Sequence, residues 1–384
     1  MALKSVHVSD VPNFDHMPEN AVRALSSPRF PRGPDGVKAS FKPPKFVVIG
    51  HRGNGMNMLY SADRRMKAIK ENSILSFDAA GKFAVDFVEF DVQVTKDDCP
   101  VIFHDNFILT EEEGSSISEK RVTELTLPEF LCYGPQRESG NVGKSLLRKV
   151  KDGRIFSWNV EDDDPLCTLQ EAFQKVNPSI GFNIELKFDD YIVYEDETLV
   201  HVLQVILQVV FKYAKERPII FSSFQPDAVQ ILRKLQSVYP VFFLTNGGSE
   251  VYNDVRRNSI DEAIKLCLAG GLQGIVSEVR AIFRNPGAIP RIKEANLSLL
   301  SYGQLNNVSE AVYMQHLMGV DGVIVDLVKE ITESVSDFIR PAEEAEESRH
   351  VLEGEGKLTR ITRPKFSQHE LSFLLKLIPE LIQF

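Results

Sequence analysis

Few cysteines, a single tryptophan, no long apolar run and no surplus of positive charge narrow the field before any motif is read. Cys99, Cys132, Cys167 and Cys267 are scattered, with no Cys-x-x-Cys spacing. This argues against a zinc or disulfide framework and fits reduced thiols inside a cell. No window reaches the roughly 18 apolar residues that a membrane span needs. The nearest, 199–214, is broken by His201, Gln204, Gln208 and Lys212 and reads as a helix of a globular protein. The formal charge is −10, which argues against nucleic acid or an anionic membrane as the main partner, because both require clustered Lys and Arg. A dinucleotide-binding Gly-x-Gly-x-x-Gly after the first strand-like run is also missing.

What is present is a 384-residue chain with 43% hydrophobic and 26% charged residues, the balance of a globular protein with a sizeable core. Residues 1–44 lack apolar periodicity and carry seven prolines from Pro12 to Pro44, so they read as an extension. From Ala21 onward that extension has Arg23, Arg29, Arg32, Lys38 and Lys42 against Asp35 alone. Such a stretch resembles an organelle transit segment, whereas Asp10, Asp15 and Glu19 earlier suit a plain tail.

From Lys45 short β-branched runs alternate with helical patterns. "KFVVIG", "VDFVEFDVQV", "PVIFHD", "GFNIELK", "RPIIFSSF", "PVFFLTNG", "LQGIVSE", "LSLLSYG" and "DGVIVD" are separated mostly by segments such as "PDAVQILRKLQ" and "IDEAIKLCLAG". Repeated βα units in this number predict a parallel TIM (β/α)8 barrel in the α/β class. Residues 107–165 break the rhythm with polar loops and the only tryptophan, Trp158. They are expected to form an inserted loop region over one barrel end that shapes substrate access; a surface embellishment is the alternative. The chain turns acidic beyond 338. It closes on a segment where Ser367 and Glu370 have capping-box spacing and Leu371, Leu374, Leu375 and Ile378 share a helical face.

The polar residues sit where a buried strand should be apolar. In "VEFDV" Glu89 and Asp91 share one face, and in "NIELK" Asn183, Glu185 and Lys187 share another. If the apolar faces pack under the helices, three carboxylates point into the barrel at a cost of several kcal/mol each, roughly, without compensating charge. An all-oxygen donor set selects a hard cation, Mg²⁺ or alternatively Ca²⁺. His51 ends the first strand and His104 ends "PVIFHD", and both are expected at the C-terminal face beside the carboxylates.

This constellation resembles the glycerophosphodiester phosphodiesterase family, in the plant soluble branch. The matching stretches are "GHRG" at 50–53, "EN" at 71–72, "EFDVQVTKDDCPVIFHD" from 89, "NIELK" from 183, "SSF" from 222 and "DGVIVD" from 321. The resemblance covers roughly residues 45–335 and, with the composition, divides the chain into an N-terminal extension over 1–44, a barrel over 45–337 with an insertion at about 107–165, and a tail with an amphipathic helix over 338–384. It implies Glu89, Asp91 and Glu185 as metal ligands, His51 and His104 as the acid–base pair, and Arg52, Glu71 and Lys187 as substrate-contacting or orienting groups; of the pair, His51 is taken here as base and His104 as acid, the sequence itself fixing the pair and not the roles. The expected activity is metal-dependent hydrolysis of glycerophosphocholine, glycerophosphoethanolamine and similar diesters to sn-glycerol 3-phosphate and an alcohol, in a plastid or the cytoplasm. The alternatives are a phospholipase C or D acting on lipid and a silent phosphodiester-binding barrel. A lipase needs an exposed apolar rim, which no loop after a strand is expected to supply, and a silent barrel is expected to have lost a histidine or carboxylate.

Overall fold

A computed structural model describes residues 41–112, 116–138 and 140–339. The extension up to residue 40 and the tail with its expected helix at 371–378 lie outside the described residues. Eight parallel strands close a barrel: β1 (Val47–Gly50), β2 (Phe87–Val94), β8 (Gly181–Leu186), β9 (Ile219–Ser223), β10 (Val241–Thr245), β11 (Gly274–Glu278), β12 (Ser298–Tyr302) and β13 (Gly322–Val325). Closure comes from β1, which pairs with β13 on one side and β2 on the other. The protein is therefore a TIM barrel, as the alternating pattern implies.

The helices begin and end where side chains dictate. In α1 (Ile74–Ala80) the Ser73 side chain accepts from Ser76 N, capping a free N–H, and Gly81 ends the helix. The apolar run expected as a helix forms α2 (Asp196–Tyr213). The outward residues Val88, Phe90, Val92, Phe182, Ile184 and Leu186 join one large core with these helices. Inside the barrel, Val47, Ile49, Phe87, Ile220, Phe242, Leu244, Val276, Leu300 and Ile324 form a separate apolar cluster, joined by Phe41. The polar residues of β2 and β8 share that interior.

One expected strand is corrected. "PVIFHD" yields β3 (Pro100–Ile102), which runs antiparallel to β2 and is not a barrel stave. Strand β2 is eight residues long, β3 folds back along it, and Phe103 N donates to Asp91 O (3.0 Å). His104 thus arrives beside Asp91 by a hairpin return, not by ending a parallel strand.

The segment after His104 is more ordered than a set of loops. Strands β4 (Phe107–Glu112), β5 (Ser116–Arg121), β6 (Leu147–Lys149) and β7 (Ile155–Ser157) make an antiparallel sheet in the order β5-β4-β6-β7. It has its own apolar cluster, including Phe103, Ile108, Phe130, Tyr133, Leu146 and Trp158. Phe103 packs against Trp158 with ring centroids 5.8 Å apart.

Candidate active site

The stretch after β1 turns sharply because its backbone must. Gly53 has φ +93°, and a Cβ there would lie 2.5 Å from Ser76 Oγ; Gly55 has φ +109° with Asp326 O 2.4 Å from where its Cβ would sit. Arg52 itself adopts φ 49°, a strained conformation for a side-chain-bearing residue. The strain is held by Arg52 N, which donates to Glu89 Oε2 (2.9 Å), and by Arg52 O, which accepts from Asn72 N (3.0 Å) and Ser76 Oγ (3.0 Å). This turn sends His51 and Arg52 to the wall of one cavity of about 850 Å³ at the C-terminal end of the barrel.

Glu89 and Asp91 on β2 face Glu185 on β8, with Asp91 and Glu185 directly in register. Each offers a carboxylate oxygen within 4.8 Å of the others. Burial and the Asp91 charge push the Glu89 carboxyl above the usual carboxylate range. Burial acts against the Asp91 charge too, but His104, Lys187 and Arg52 outweigh it and hold that group low. Glu89 Oε1 and Asp91 Oδ1 are buried with no hydrogen-bond partner among the described residues. Two orphaned carboxylate oxygens and a third carboxylate at this spacing fit a hard divalent cation. The supporting contacts are local: Asn72 Nδ2 donates to Asp91 Oδ2 (2.8 Å), and Lys187 Nζ lies 2.8 Å from Glu185 Oε1 and 3.5 Å from Asp91 Oδ1.

Each histidine is held through Nδ1 by a carboxylate, which leaves Nε2 for the cavity. His51 Nδ1 is 2.7 Å from Asp326 Oδ1, and Asp326 also accepts from Met56 N (3.0 Å) and Asn307 Nδ2 (2.9 Å). His104 Nδ1 is 2.7 Å from Asp105 Oδ1. Burial works against a charged His51, but the Asp326 charge and hydrogen bond overcome it and raise its pKa. At His104 burial, helped by the charges of Arg52 and Lys187, lowers it.

Of the eight residues singled out in the sequence, seven line the cavity or lie in the carboxylate cluster. Glu71 does not reach the cavity. It lies 3% exposed behind the wall, where Arg52 Nη1 donates to Oε1 (2.7 Å), Asn57 N donates to Oε2, and a residue that sequence reasoning missed completes the cage. That residue is Arg148, on β6 of the insertion. It donates through Nη1 to Glu71 Oε2 (3.0 Å) and through Nη2 to Glu71 Oε1 (2.9 Å). Between these opposing influences, burial against the carboxylate and two guanidinium groups for it, the Glu71 pKa falls to about 2. Asp105 and Asp326 were visible in the motifs "HD" and "DGVIVD"; alternation and strand-end position gave no role for either. Nothing local marked Arg148, whose partners lie tens of residues away in the chain.

The cavity's other wall carries Phe224, Tyr252 and Tyr302 from the loops and strand ends after β9, β10 and β12. Arg257 stacks on Tyr252 at 3.7 Å and pairs with Asp190 at 2.7 Å. In the loops after β8 and β10, Tyr191, Val193 and Val251 are 95%, 93% and 88% exposed. These three lie close in the chain to Asp190, Glu250 and Tyr252, which line the cavity. None of the helices in the described residues is long and apolar enough to cross a membrane.

Residues 51–330 match the family model described as the glycerophosphoryl diester phosphodiesterase family. The chain is 60% identical to the glycerophosphodiester phosphodiesterase GDPD2 of Arabidopsis thaliana and 59% identical to the chloroplastic GDPD1 of the same plant, each across 100% of both chains. A Schizosaccharomyces pombe glycerophosphocholine phosphodiesterase is 33% identical over 76% of this chain and 28% of its own. Among solved structures, an Oleispira antarctica phosphodiesterase in complex with the product sn-glycerol 3-phosphate shares the fold at TM-score 0.54 and 18% identity, over 76% of this chain and 97% of that one. A Parabacteroides distasonis glycerophosphodiester phosphodiesterase shares it at TM-score 0.52 and 20% identity, over 76% and 98%.

Proposed function

The chain belongs to the glycerophosphoryl diester phosphodiesterase family and is a phosphodiester hydrolase, and from that premise we propose that it hydrolyses water-soluble glycerophosphodiesters to sn-glycerol 3-phosphate and the free alcohol. Glycerophosphocholine and glycerophosphoethanolamine are the substrates we assign. The observation that carries this reading is one cavity holding three convergent carboxylates and two histidines, each histidine held through Nδ1 by its own aspartate.

Glu89, Asp91 and Glu185 would hold Mg²⁺, with Ca²⁺ as the alternative, and the cation would supply positive charge to offset that of the phosphate. Arg52 adds a planar donor set for the phosphate. Lys187 Nζ, 2.8 Å from Glu185 Oε1 and 3.5 Å from Asp91 Oδ1, keeps the carboxylates in place and, at the cavity wall, shares the phosphate charge with Arg52. We assign His51 as general base. Among the described residues its partner Asp326 meets only neutral donors besides His51, so the full carboxylate charge stabilises an imidazolium at His51. Asp105, by contrast, is shared with Arg148, whose Nη2 lies 3.0 Å from Oδ1. His104 is therefore the weaker base and, once protonated, the stronger acid, suited to protonate the leaving alcohol. The nucleophile that His51 deprotonates is the glycerol 2-hydroxyl, which gives a cyclic phosphate before water opens it.

We read 45–337 as the catalytic unit and place the protein in the plastid, on its likeness to the chloroplastic relative. A fluorescent fusion of the full chain tests this against the cytoplasm. The exposed Tyr191, Val193 and Val251 favour one second reading, a single-chain lipid as substrate. A panel of glycerophosphodiesters and lysophospholipids, assayed for glycerol 3-phosphate and for fatty-acyl products, separates the two. The proposed reading requires release of glycerol 3-phosphate from the soluble diesters.

A further inference from the structure

Arg148 is only 7% exposed, and all five of its N–H groups are spent. Nε donates to Asp105 Oδ2 (3.1 Å). Nη2 donates to Asp105 Oδ1 (3.0 Å) and Glu71 Oε1 (2.9 Å). Nη1 donates to Glu71 Oε2 (3.0 Å) and to Asn57 O (3.3 Å). The guanidinium lies 4.1 Å from the centre of the Trp158 ring, whose Nε1 donates to Asn57 Oδ1 (3.0 Å). Although Arg148 borders the cavity, it has no donor left for a phosphate.

Both carboxylates it grips are partners of cavity groups. Asp105 Oδ1 sits at 2.7 Å from His104 Nδ1, and Glu71 Oε1 accepts from Arg52 Nη1 at 2.7 Å. We propose that Arg148, delivered by the insertion, is a positioning residue of the active site: it clamps Asp105 and Glu71 together and through them orients His104 and Arg52. The role rests on the hydrolytic reading of the same cavity given above. A device needed only to dock the sheet has no reason to bury this charge, because the apolar cluster around Phe103, Phe130 and Trp158 already binds it and a buried ion-pair network is poor value as glue. A lysine at 148 cannot replace the clamp, since an ammonium lacks the planar fork that spans two carboxylates. The insertion, whose Lys149, Lys151 and Arg154 also line the cavity, thereby enters the catalytic machinery through Arg148.

The clamp makes a claim about a proton position as well as about rate. With Asp105 fixed, neutral His104 carries its proton on Nδ1 and turns Nε2 to the leaving group; without Arg148, Asp105 rotates and the tautomers mix. The test compares wild type, Arg148→Ala and Arg148→Lys in the full chain. For both variants kcat for glycerophosphocholine should fall on the order of 10- to 100-fold with KM nearly unchanged. Added guanidinium should restore kcat in Arg148→Ala but not in Arg148→Lys. Nitrogen-15 NMR of the neutral histidines should show one His104 tautomer in wild type and a mixture in Arg148→Ala, and emission of Trp158, the only tryptophan, reports whether the hairpin stays docked. A single unchanged tautomer with unchanged kcat overturns the proposal. So does a rise in KM at constant kcat, which would make Arg148 a substrate contact. Loss of activity with red-shifted Trp158 emission and no guanidinium rescue also overturns it and leaves a strut. If wild type releases no glycerol 3-phosphate while the tautomer still depends on Arg148, the hydrolytic reading fails and the positioning role stands.

Discussion

The barrel rim and the insertion build one cavity by opposite means. The rim works by period: along β2 and β8 every second residue faces inward, and Glu89, Asp91, Asn183 and Glu185 arrive in register from two adjacent strands. The insertion works by reach, because Arg148 crosses from a three-residue strand to Glu71 and Asp105, 77 and 43 residues away in the chain. On the proposed reading the barrel supplies the cation and proton-transfer groups, and the insertion supplies Arg148 as a brace behind one half of them while Lys149, Lys151 and Arg154 join the cavity wall. His51 is braced by the barrel itself, through Asp326 after β13, whereas His104 depends on the insertion.

The barrel's share is the easiest to break. Asp91→Asn should reduce activity to that of the chelated enzyme, because two carboxylates hold the cation poorly. Calorimetry should show the weakened metal binding, and circular dichroism an intact fold. A collapsed fold would instead make the carboxylates structural. Next come the histidines. His51→Ala and His104→Ala should each cost on the order of 10² to 10⁴ in turnover while calorimetric metal binding persists. A p-nitrophenyl diester, whose leaving group needs no proton, should restore much of the loss in His104→Ala and little in His51→Ala. Rescue of His51→Ala instead would exchange the two roles.

This contrast also explains how much could be read from sequence. Alternation exposed Glu89, Asp91 and Glu185, and strand-end position exposed His51, because these depend on neighbours one or two residues away. His104 was located correctly for the wrong reason: β3 is antiparallel, and only its pairing with β2, an event between strands, returns His104 to Asp91. Glu71 was recognised by resemblance, yet its place behind the wall depends on Arg148 and on Asn57, which anchors both Glu71 N (3.1 Å) and Trp158 Nε1 (3.0 Å). The exposed Tyr191 and Val193 were missed because they sit in "DDYIVYEDE", where polar neighbours disguise an apolar tip.

A finer cut separates the two aspartates. Asp326→Asn should lower kcat on the order of 10- to 100-fold, and Asp105→Asn by less, because Arg148 already shares the Asp105 charge. Equal losses would mean that the two braces are equivalent. The smallest effect concerns Lys70, which is buried, lies 3.7 Å from the Trp158 ring centre and has its pKa lowered by burial to about 8 from 10.5. Below about pH 8 the lysine is charged in both folded and unfolded chains, so the folded chain bears the full cost of burying it; above 10.5 it is neutral in both and the cost disappears. Lys70→Met should therefore raise the melting temperature at pH 7 by a few degrees, roughly, with the gain shrinking as pH rises toward 10.5. A gain independent of pH would assign the effect to packing.

The central claim is that a cation held by Glu89, Asp91 and Glu185 works with His51 and His104 on a glycerophosphodiester. The most direct measurement is glycerol 3-phosphate release from glycerophosphocholine by the full chain, with excess chelator and then with Mg²⁺ restored. The account predicts release that chelation abolishes and Mg²⁺ recovers; undiminished release in excess chelator would contradict it.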